Sequence, residues 1–434
     1  MIEKIKELAS KLEDKTIAYR KDLHHFPEPR WREFRTSSIA IKKMHALGYT
    51  ITMGSDAISK EYMMSVPDEN TLKQAQINAI NNGADKELVE KMTGGFTGFW
   101  ADMKFSDDNT FLALRFDMDS NIITESSDNT HIPFIENFSS CNHNAMHACG
   151  HDGHVAIGLT IAEIIANIKD KLKGSIRFIF QPAEEGSCGA LPMVKAGACN
   201  NITHILGLHI GFQAENASNI ICGTYGFLAS TKLNVEYTGK PSHAGAYPEE
   251  GKNALIAACN ACLNLQAISR NSKGATRINV GVLNSGDARN IIPANAHLEL
   301  ETRGINTELN QYMEDNAIRI INASALMADC EVVIEKHGSS MSGCSSKEMI
   351  AIIKEAAKNI EEYKTIIEEK DFGAGEDFTY MLAEVQKNGG IGSYIQAGVN
   401  RYAPHHNNKF NFDNEGLRPA VEVCSIAAYN ILKK

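Results

Sequence analysis

Apolar residues recur in two rhythms along this chain, and the alternation between them lays out a fold. "IEKIKELASKL" sets Ile2, Ile5, Leu8 and Leu12 at helical spacing between charges, which predicts an amphipathic helix on a surface. "HALGYTIT" predicts a turn into a strand, and "NTFLALRFDMD" a strand that ends in Asp117 and Asp119. Helical periodicity returns from His154 to Leu172. Gly174 then leads into "SIRFIFQPAEE", where Ile176, Phe178 and Phe180 alternate until Pro182 stops the strand. "MVKAGAC" reads as a short helix and "THILGLHIG" as a buried strand ending at His209. Strands alternating with helices predict an α/β domain with a largely parallel sheet between helices.

From about Phe227 the texture changes. "FLASTKLNVEYTGKPSHAG" is a strand and turn, "NALIAACNACLNLQAIS" a helix, "TRINVGVLNSGD" and "AHLELETRG" strands, "LNQYMEDNAIRIINASALMA" a helix and "DCEVVIEK" a closing strand. That order predicts an inserted α+β domain, a four-stranded antiparallel sheet with two helices, over residues 225–339. The first domain then comprises 1–224 and 340–434, resuming at "KEMIAIIKEAAKNI" and ending in a helix at "GLRPAVEVCSIAAYNILKK". The segment from about Ser55 to Asp108 is polar, contains the helix-like "ENTLKQAQINAINNG", and carries no readable chemistry.

Composition narrows the functional classes. The chain has 434 residues, 43% hydrophobic, with a formal net charge of -10, which disfavours a phosphate backbone as partner. No apolar run reaches the roughly 18 residues of a spanning helix, and no signal-like apolar core opens the chain, so no membrane partner and a cytoplasmic location are expected. The ten cysteines lack a repeating frame, which points to reduced thiols. Cys259 and Cys262 form a single C-x-x-C inside an apolar helical run and are read as core, leaving Cys149 as the better candidate ligand.

Candidate chemistry gathers at strand ends. Cys149 and His151 sit two apart just before a predicted helix, Glu184 and Glu185 follow one strand, His209 ends another, and His405 and His406 lie in the late loop "APHHNNKF". In an open α/β sheet such loops converge outside the carboxyl ends of the strands. A mixture of thiolate, imidazole and carboxylate suits zinc, manganese or a similar divalent ion. Adjacent glutamates allow one carboxylate to hold metal while the other takes a proton from water, as metal-assisted hydrolysis requires. Taken singly, each feature has an ordinary explanation: a loop of polar partners, a solvated Glu-Glu pair, a core histidine. Their joint placement shifts the balance. The chain contains no G-x-x-x-x-G-K-[ST], no H-E-x-x-H and no G-x-S-x-G.

"MHACGHDGH", "FQPAEEG", "GLHIG", "GKPSHAGAYPEEGKNAL", "NIIPA" and "HHNNKFNFD", in this order, resemble the M20 metallopeptidase family in its amidohydrolase branch of aminoacylases and auxin-conjugate hydrolases. The resemblance starts at "YRKDLHHFPEPRWREFRT" and runs to the carboxyl terminus. It implies two divalent metal ions per subunit, Mn2+ or Zn2+, with Cys149 as bridging thiolate and His151, Glu185, His209 and His406 as the other ligands. It further implies Glu184 as general base, Asp119 orienting a ligand, and a lid domain that also makes the dimer. His243, in "PSHAG", would enter a partner's active site to stabilise the oxyanion, Asn290 would support it, and Arg303 would pair the substrate carboxylate. The partner would be a second copy or a related subunit. The implied reaction is hydrolysis of an N-acyl amino acid amide, with p-aminobenzoyl-glutamate the first substrate to test.

Alternatives stay open at this level. An N-acyl-amino-acid deacetylase, aminoacylase or dipeptidase would share these residues, and a metal-stabilised binding or regulatory subunit is disfavoured by the presence of Glu184 and His243. His243 could cap its own turn, Arg303 could form a surface ion pair, Asn290 could end a strand, and His405 rivals His406. "DMDSNI" lacks the Asp-Ala-Leu-Pro common in the branch, and Asn408 and Asn411 stand where relatives often carry proline or an acid. These departures bear on the rim of the substrate site more than on the metal ligands.

Overall fold

A computed structural model describes all 434 residues, which form two compact units, Met1–Tyr225 with Cys344–Phe372 and Asp377–Lys434, and Gly226–Gly343 with Gly373–Glu376. In the larger unit four strands make a parallel centre, in the order Ser175–Gln181, Phe111–Asp117, His204–Ile210 and Ile391–Ala397. Antiparallel strands flank it, Phe99–Lys104 and Thr50–Met53 on one side and Asn219–Ile221 on the other. The sheet is therefore mixed, with a parallel centre and a second parallel pair at its edge, where Thr365–Ile367 lies against Asn219–Ile221. Those central strands are buried on both faces, as sheets covered by helices must be: Phe178, Phe180, Leu114 and Phe116 on one face and Ala113, Ile179 and Ile205 on the other are all at most 1% exposed.

The predicted first helix is observed over Ile2–His25, burying Ile5, Ala9 and Leu23. The helix expected from His154 starts earlier, at His151, and ends at Ile168, so His151 opens the helix instead of preceding it. Gly150, at φ +93°, makes the turn into it, and Gly158 lets it close on Phe116, where a Cβ would stand 2.8 Å from the ring. Several elements escaped the sequence reading, among them helices Phe34–Ala46 and Phe378–Lys387 and two strands of the large sheet. Phe99–Lys104 is an inner strand within the polar 55–108 segment, which also holds the helices Glu69–Asn81 and Lys86–Lys91. Ile391–Ala397 completes the parallel centre.

The smaller unit is an antiparallel sheet in the order Glu331–Ser340, Ala229–Thr238, Asn295–Gly304 and Thr276–Ser285. Helices Ala254–Gln266 and Thr307–Met327 cover one face, packing Ala257, Ala261, Met313 and Ala317 on Leu233, Val235, Leu298 and Leu300. The other face carries mostly polar side chains, with Val333 exposed among them. Cys262 packs at the margin of this small core and Cys259 is half-buried, so the pair is peripheral to the core, not inside it. No helix is long and apolar enough to cross a membrane.

Candidate metal centre and active site

Parallel strands put their carboxyl ends on one edge, and the ligand-type side chains collect there. Ligand atoms of Cys149, His151 and His209 lie within 4.8 Å of one another, as do those of Cys149, Glu185 and His406, and those of His151, Glu184 and Glu185. Cys149 Sγ is 3.4 Å from His209 Nε2, and His406 Nε2 is 3.2 Å from Glu185 Oε2. His151 Nε2 stands 3.9 Å from both Glu184 Oε2 and Glu185 Oε1. A tetrahedral ion with bonds of about 2.1 Å holds its ligand atoms roughly 3.4 Å apart, the scale seen here. The donor set also fits an ion electrostatically, because His151 Nε2 and Glu185 Oε1 are buried without a hydrogen-bond partner.

Outer contacts fix how the ligands face the site. His209 donates Nδ1–H to the carbonyl of Ile210 and His151 donates Nδ1–H to the carbonyl of Asp119, both at 2.8 Å, so each presents Nε2 to the cluster. Burial holds His209 well below the usual imidazole range, so it is neutral and able to ligate. Burial, with Glu185 and Glu184 beside it, pushes the Cys149 thiol well above its ordinary value, so a thiolate here needs a cation for company. Burial alone would lower His151, but Asp117, Asp119 and Glu185 raise it to about 10.

The glutamate turn is held from two sides. Asp119 accepts from the N–H of Glu184 at 2.9 Å and of Glu185 at 3.0 Å. Glu33, fully buried, accepts from the N–H of Ala183 at 2.9 Å and of Trp31 at 3.0 Å through one oxygen, and from the Thr97 hydroxyl at 2.6 Å through the other. Ala183 and Trp31 are both left-handed, at φ +56° and +62°, an uncommon conformation for residues with a Cβ. Glu33 thus anchors two strained peptides at once. Burial, with Asp119 nearby, raises its carboxyl to about 8.

Glu33, Asp117, His154 and His24 are functional neighbours that the spacing of ligand-type residues did not single out. Asp117 accepts from Arg115 at 2.6 Å and from His154 Nδ1 at 2.5 Å, while His154 Nε2 accepts the N–H of Ile210 at 2.9 Å. His154 therefore ties the helix to the strand that carries His209. His24 bridges Asp152 and Glu125, each at 2.9 Å, and although burial opposes the charge, these carboxylates raise it to about 9. His154 lies one helical turn from His151 and Asp117 ends a strand beside Asp119, but no sequence signal marks Glu33 or His24.

The structure separates the two late histidines. His406, at φ +61°, meets Glu185, whose carboxylate raises its pKa. His405 instead packs its ring on His209 and Phe410 and takes a hydrogen bond from Arg401 at 2.8 Å, and burial lowers it to about 3.

The remaining three predicted residues belong to the smaller unit. His243 is exposed, and its Nδ1 accepts the N–H of Gly245 and Ala246 at 3.1 Å, which leaves the neutral ring with its proton on Nε2. His243 pairs with Ile291, and the carbonyl of Asn290 accepts the N–H of Ala244 at 3.0 Å, so the two segments lie side by side. Arg303 donates Nε and Nη2 to Glu301 at 2.9 and 3.1 Å. The local turn and the ion pair are thus both present.

Comparison with known proteins identifies the family. Residues 113–430 match the peptidase family M20/M25/M40. The chain is 40% identical over 413 residues to indole-3-acetyl-aspartic acid hydrolase of Enterobacter agglomerans, covering 95% of this chain and 94% of that one. It is 39% identical over 430 residues to a p-aminobenzoyl-glutamate hydrolase subunit of Escherichia coli (strain K12), covering 99% and 98%. The solved aminobenzoyl-glutamate utilization protein from Klebsiella pneumoniae superimposes with a TM-score of 0.85 at 33% identity, over 98% of this chain and 97% of that one. The chain belongs to the peptidase family M20/M25/M40 and is a metal-dependent amidohydrolase.

Proposed function

We propose that the protein hydrolyses p-aminobenzoyl-glutamate to p-aminobenzoate and glutamate, a step of folate catabolism, with two manganese or zinc ions per subunit. The observation that carries this reading is the 39% identity to the Escherichia coli p-aminobenzoyl-glutamate hydrolase chain over 99% of the sequence. The mixed thiolate, imidazole and carboxylate set supports such ions, held by Cys149, His151, Glu185, His209 and His406. Ten cysteines with no disulfide between them favour a reducing compartment, the cytoplasm.

Divalent ions, when bound, acidify water and polarise the scissile carbonyl. Glu184 takes the proton from the attacking water on a carboxylate oxygen and returns it to the amide nitrogen as the amine leaves. The Asp119 carboxylate orients Glu184 for this through its backbone N–H. His243 donates Nε2–H to the developing oxyanion, Asn290 supports it, and Arg303 pairs a substrate carboxylate. The domain read at residues 225–339 serves as lid and dimer-forming domain, and His243 comes from a second copy or a related subunit.

A second reading, hydrolysis of indole-3-acetyl-aspartate, is favoured by the 40% identity to that hydrolase. Manganese-loaded protein incubated with p-aminobenzoyl-glutamate, indole-3-acetyl-aspartate and N-acetyl amino acids separates the readings by mass spectrometry. Preferential release of p-aminobenzoate supports the first. Cleavage of acetyl substrates alone transfers the chain to the aminoacylases.

A further inference from the structure

The face of the small sheet that the helices leave uncovered carries an unusual pair. Arg277 and Arg303 are direct cross-strand partners, and because paired residues share a face, both guanidinium groups leave the sheet on the same side. Their neighbours Thr276 and Thr302 point the other way and are buried. Both arginines line a cavity of about 520 Å³, together with Leu228, Asn279, Glu301 and Ile305. Like charges directly opposite on adjacent strands destabilise a sheet, so this pairing carries a cost that an anion would remove.

The two cations are not equally committed. Glu301 occupies the Nε and Nη2 edge of Arg303, fixing the plane of the fork and leaving Nη1 for a ligand. Arg277 has no carboxylate partner, and its one hydrogen bond runs from Nη1 to the carbonyl of Thr276 at 3.3 Å. Two guanidinium groups against one carboxylate leave a surplus positive charge in the cavity. Cross-strand Cβ atoms are about 5 Å apart, a spacing that the short stem between the two carboxylates of glutamate or aspartate can match.

We infer that Arg277 is a specificity residue that binds the side-chain carboxylate of an N-acylated dicarboxylic amino acid while Arg303 binds its α-carboxylate. The inference rests on the amidohydrolase reading and narrows its leaving group to glutamate or aspartate. The acyl group is left to other parts of the site.

The test compares p-aminobenzoyl-glutamate with p-aminobenzoyl-glutamine, which differ in one charge and little in shape. The wild type is expected to prefer the glutamate substrate by at least about tenfold in kcat/KM, roughly what one charge-assisted hydrogen bond supplies. Arg277→Gln should bring that preference close to one, chiefly through KM, and Arg277→Lys should restore much of it. A wild type indifferent to the charge, or an Arg277→Gln variant that keeps the preference, overturns the inference while leaving the amidohydrolase reading intact. If the wild type cleaves no N-acyl amino acid at all, that reading falls. Calorimetric titration of p-aminobenzoyl-glutamate into Glu184→Ala protein then decides the matter, since binding that Arg277→Gln weakens at least tenfold upholds the site and equal binding refutes it.

Discussion

Replacing Glu33 tests whether a buried carboxyl far from the ligands in sequence holds the glutamate turn in place. Glu33→Ala would leave the N–H groups of Trp31 and Ala183 and the Thr97 hydroxyl without their acceptor in a site with no solvent exposure. Each orphaned buried donor costs about 1–3 kcal/mol, so the three together cost roughly 3–9 kcal/mol, the lower end applying if water enters. Specific unfolding entropy converts this to ~3–10 °C in Tm for a chain of this length. Glu33→Gln should behave differently. Its carbonyl can accept from Trp31 and Ala183, its amide can donate to Thr97 Oγ1, and the Thr97 proton can turn to the carbonyl of Gly95, 3.5 Å away. That variant should lose no more than about 1 kcal/mol. Scanning calorimetry of metal-loaded protein reads stability, and kcat reads the position of Glu184, which should suffer at least tenfold in Glu33→Ala and little in Glu33→Gln. Equal losses in both variants would mean that the carboxyl group itself, not acceptance from the strained peptides, is what Glu33 supplies. An unaffected Glu33→Ala would refute the anchoring role altogether.

Glu422, 1% exposed with Oε2 unpartnered, is pushed up to about 7 by burial despite Arg418 beside it. A carboxyl raised in the folded state contributes stability that is full below pH about 4.5 and is lost as pH climbs through 7, so Glu422→Gln should unfold above the wild type at pH 8 by at most ~3 kcal/mol and match it at pH 4.5. Calorimetry showing the same gap at both pH values would contradict this. Mixing inactive His243→Ala and Glu184→Ala chains should regenerate activity through hybrid sites, and silence in verified mixed dimers would place His243 in its own subunit's site.

The parallel strands were legible because successive residues such as Ile205 and Leu206, which face opposite sides of the sheet, are both apolar, and because Pro182 and Gly211 punctuate their ends. The loops that bring the candidate ligands together were legible for a related reason: thiol, imidazole and carboxylate groups cluster where apolar runs stop. Phe99–Lys104 was hidden by its length and by Asp102, whose carboxylate is satisfied by Arg177 two strands of sequence away and so mimics a loop residue. Glu33 and His24 were illegible as site residues because their partners lie 150 and 128 residues along the chain. The choice between His405 and His406 depended on backbone conformation, which adjacency in sequence does not encode.

The most direct test of the account is paired measurement of metal content and turnover in Glu184→Ala, beside the wild type, with p-aminobenzoyl-glutamate as substrate. Metal-assisted hydrolysis with Glu184 as base predicts two divalent ions per chain in both proteins and a loss of at least about a hundredfold in kcat for the variant alone. Full turnover in the variant, or loss of its metal together with its activity, would contradict the role given to Glu184.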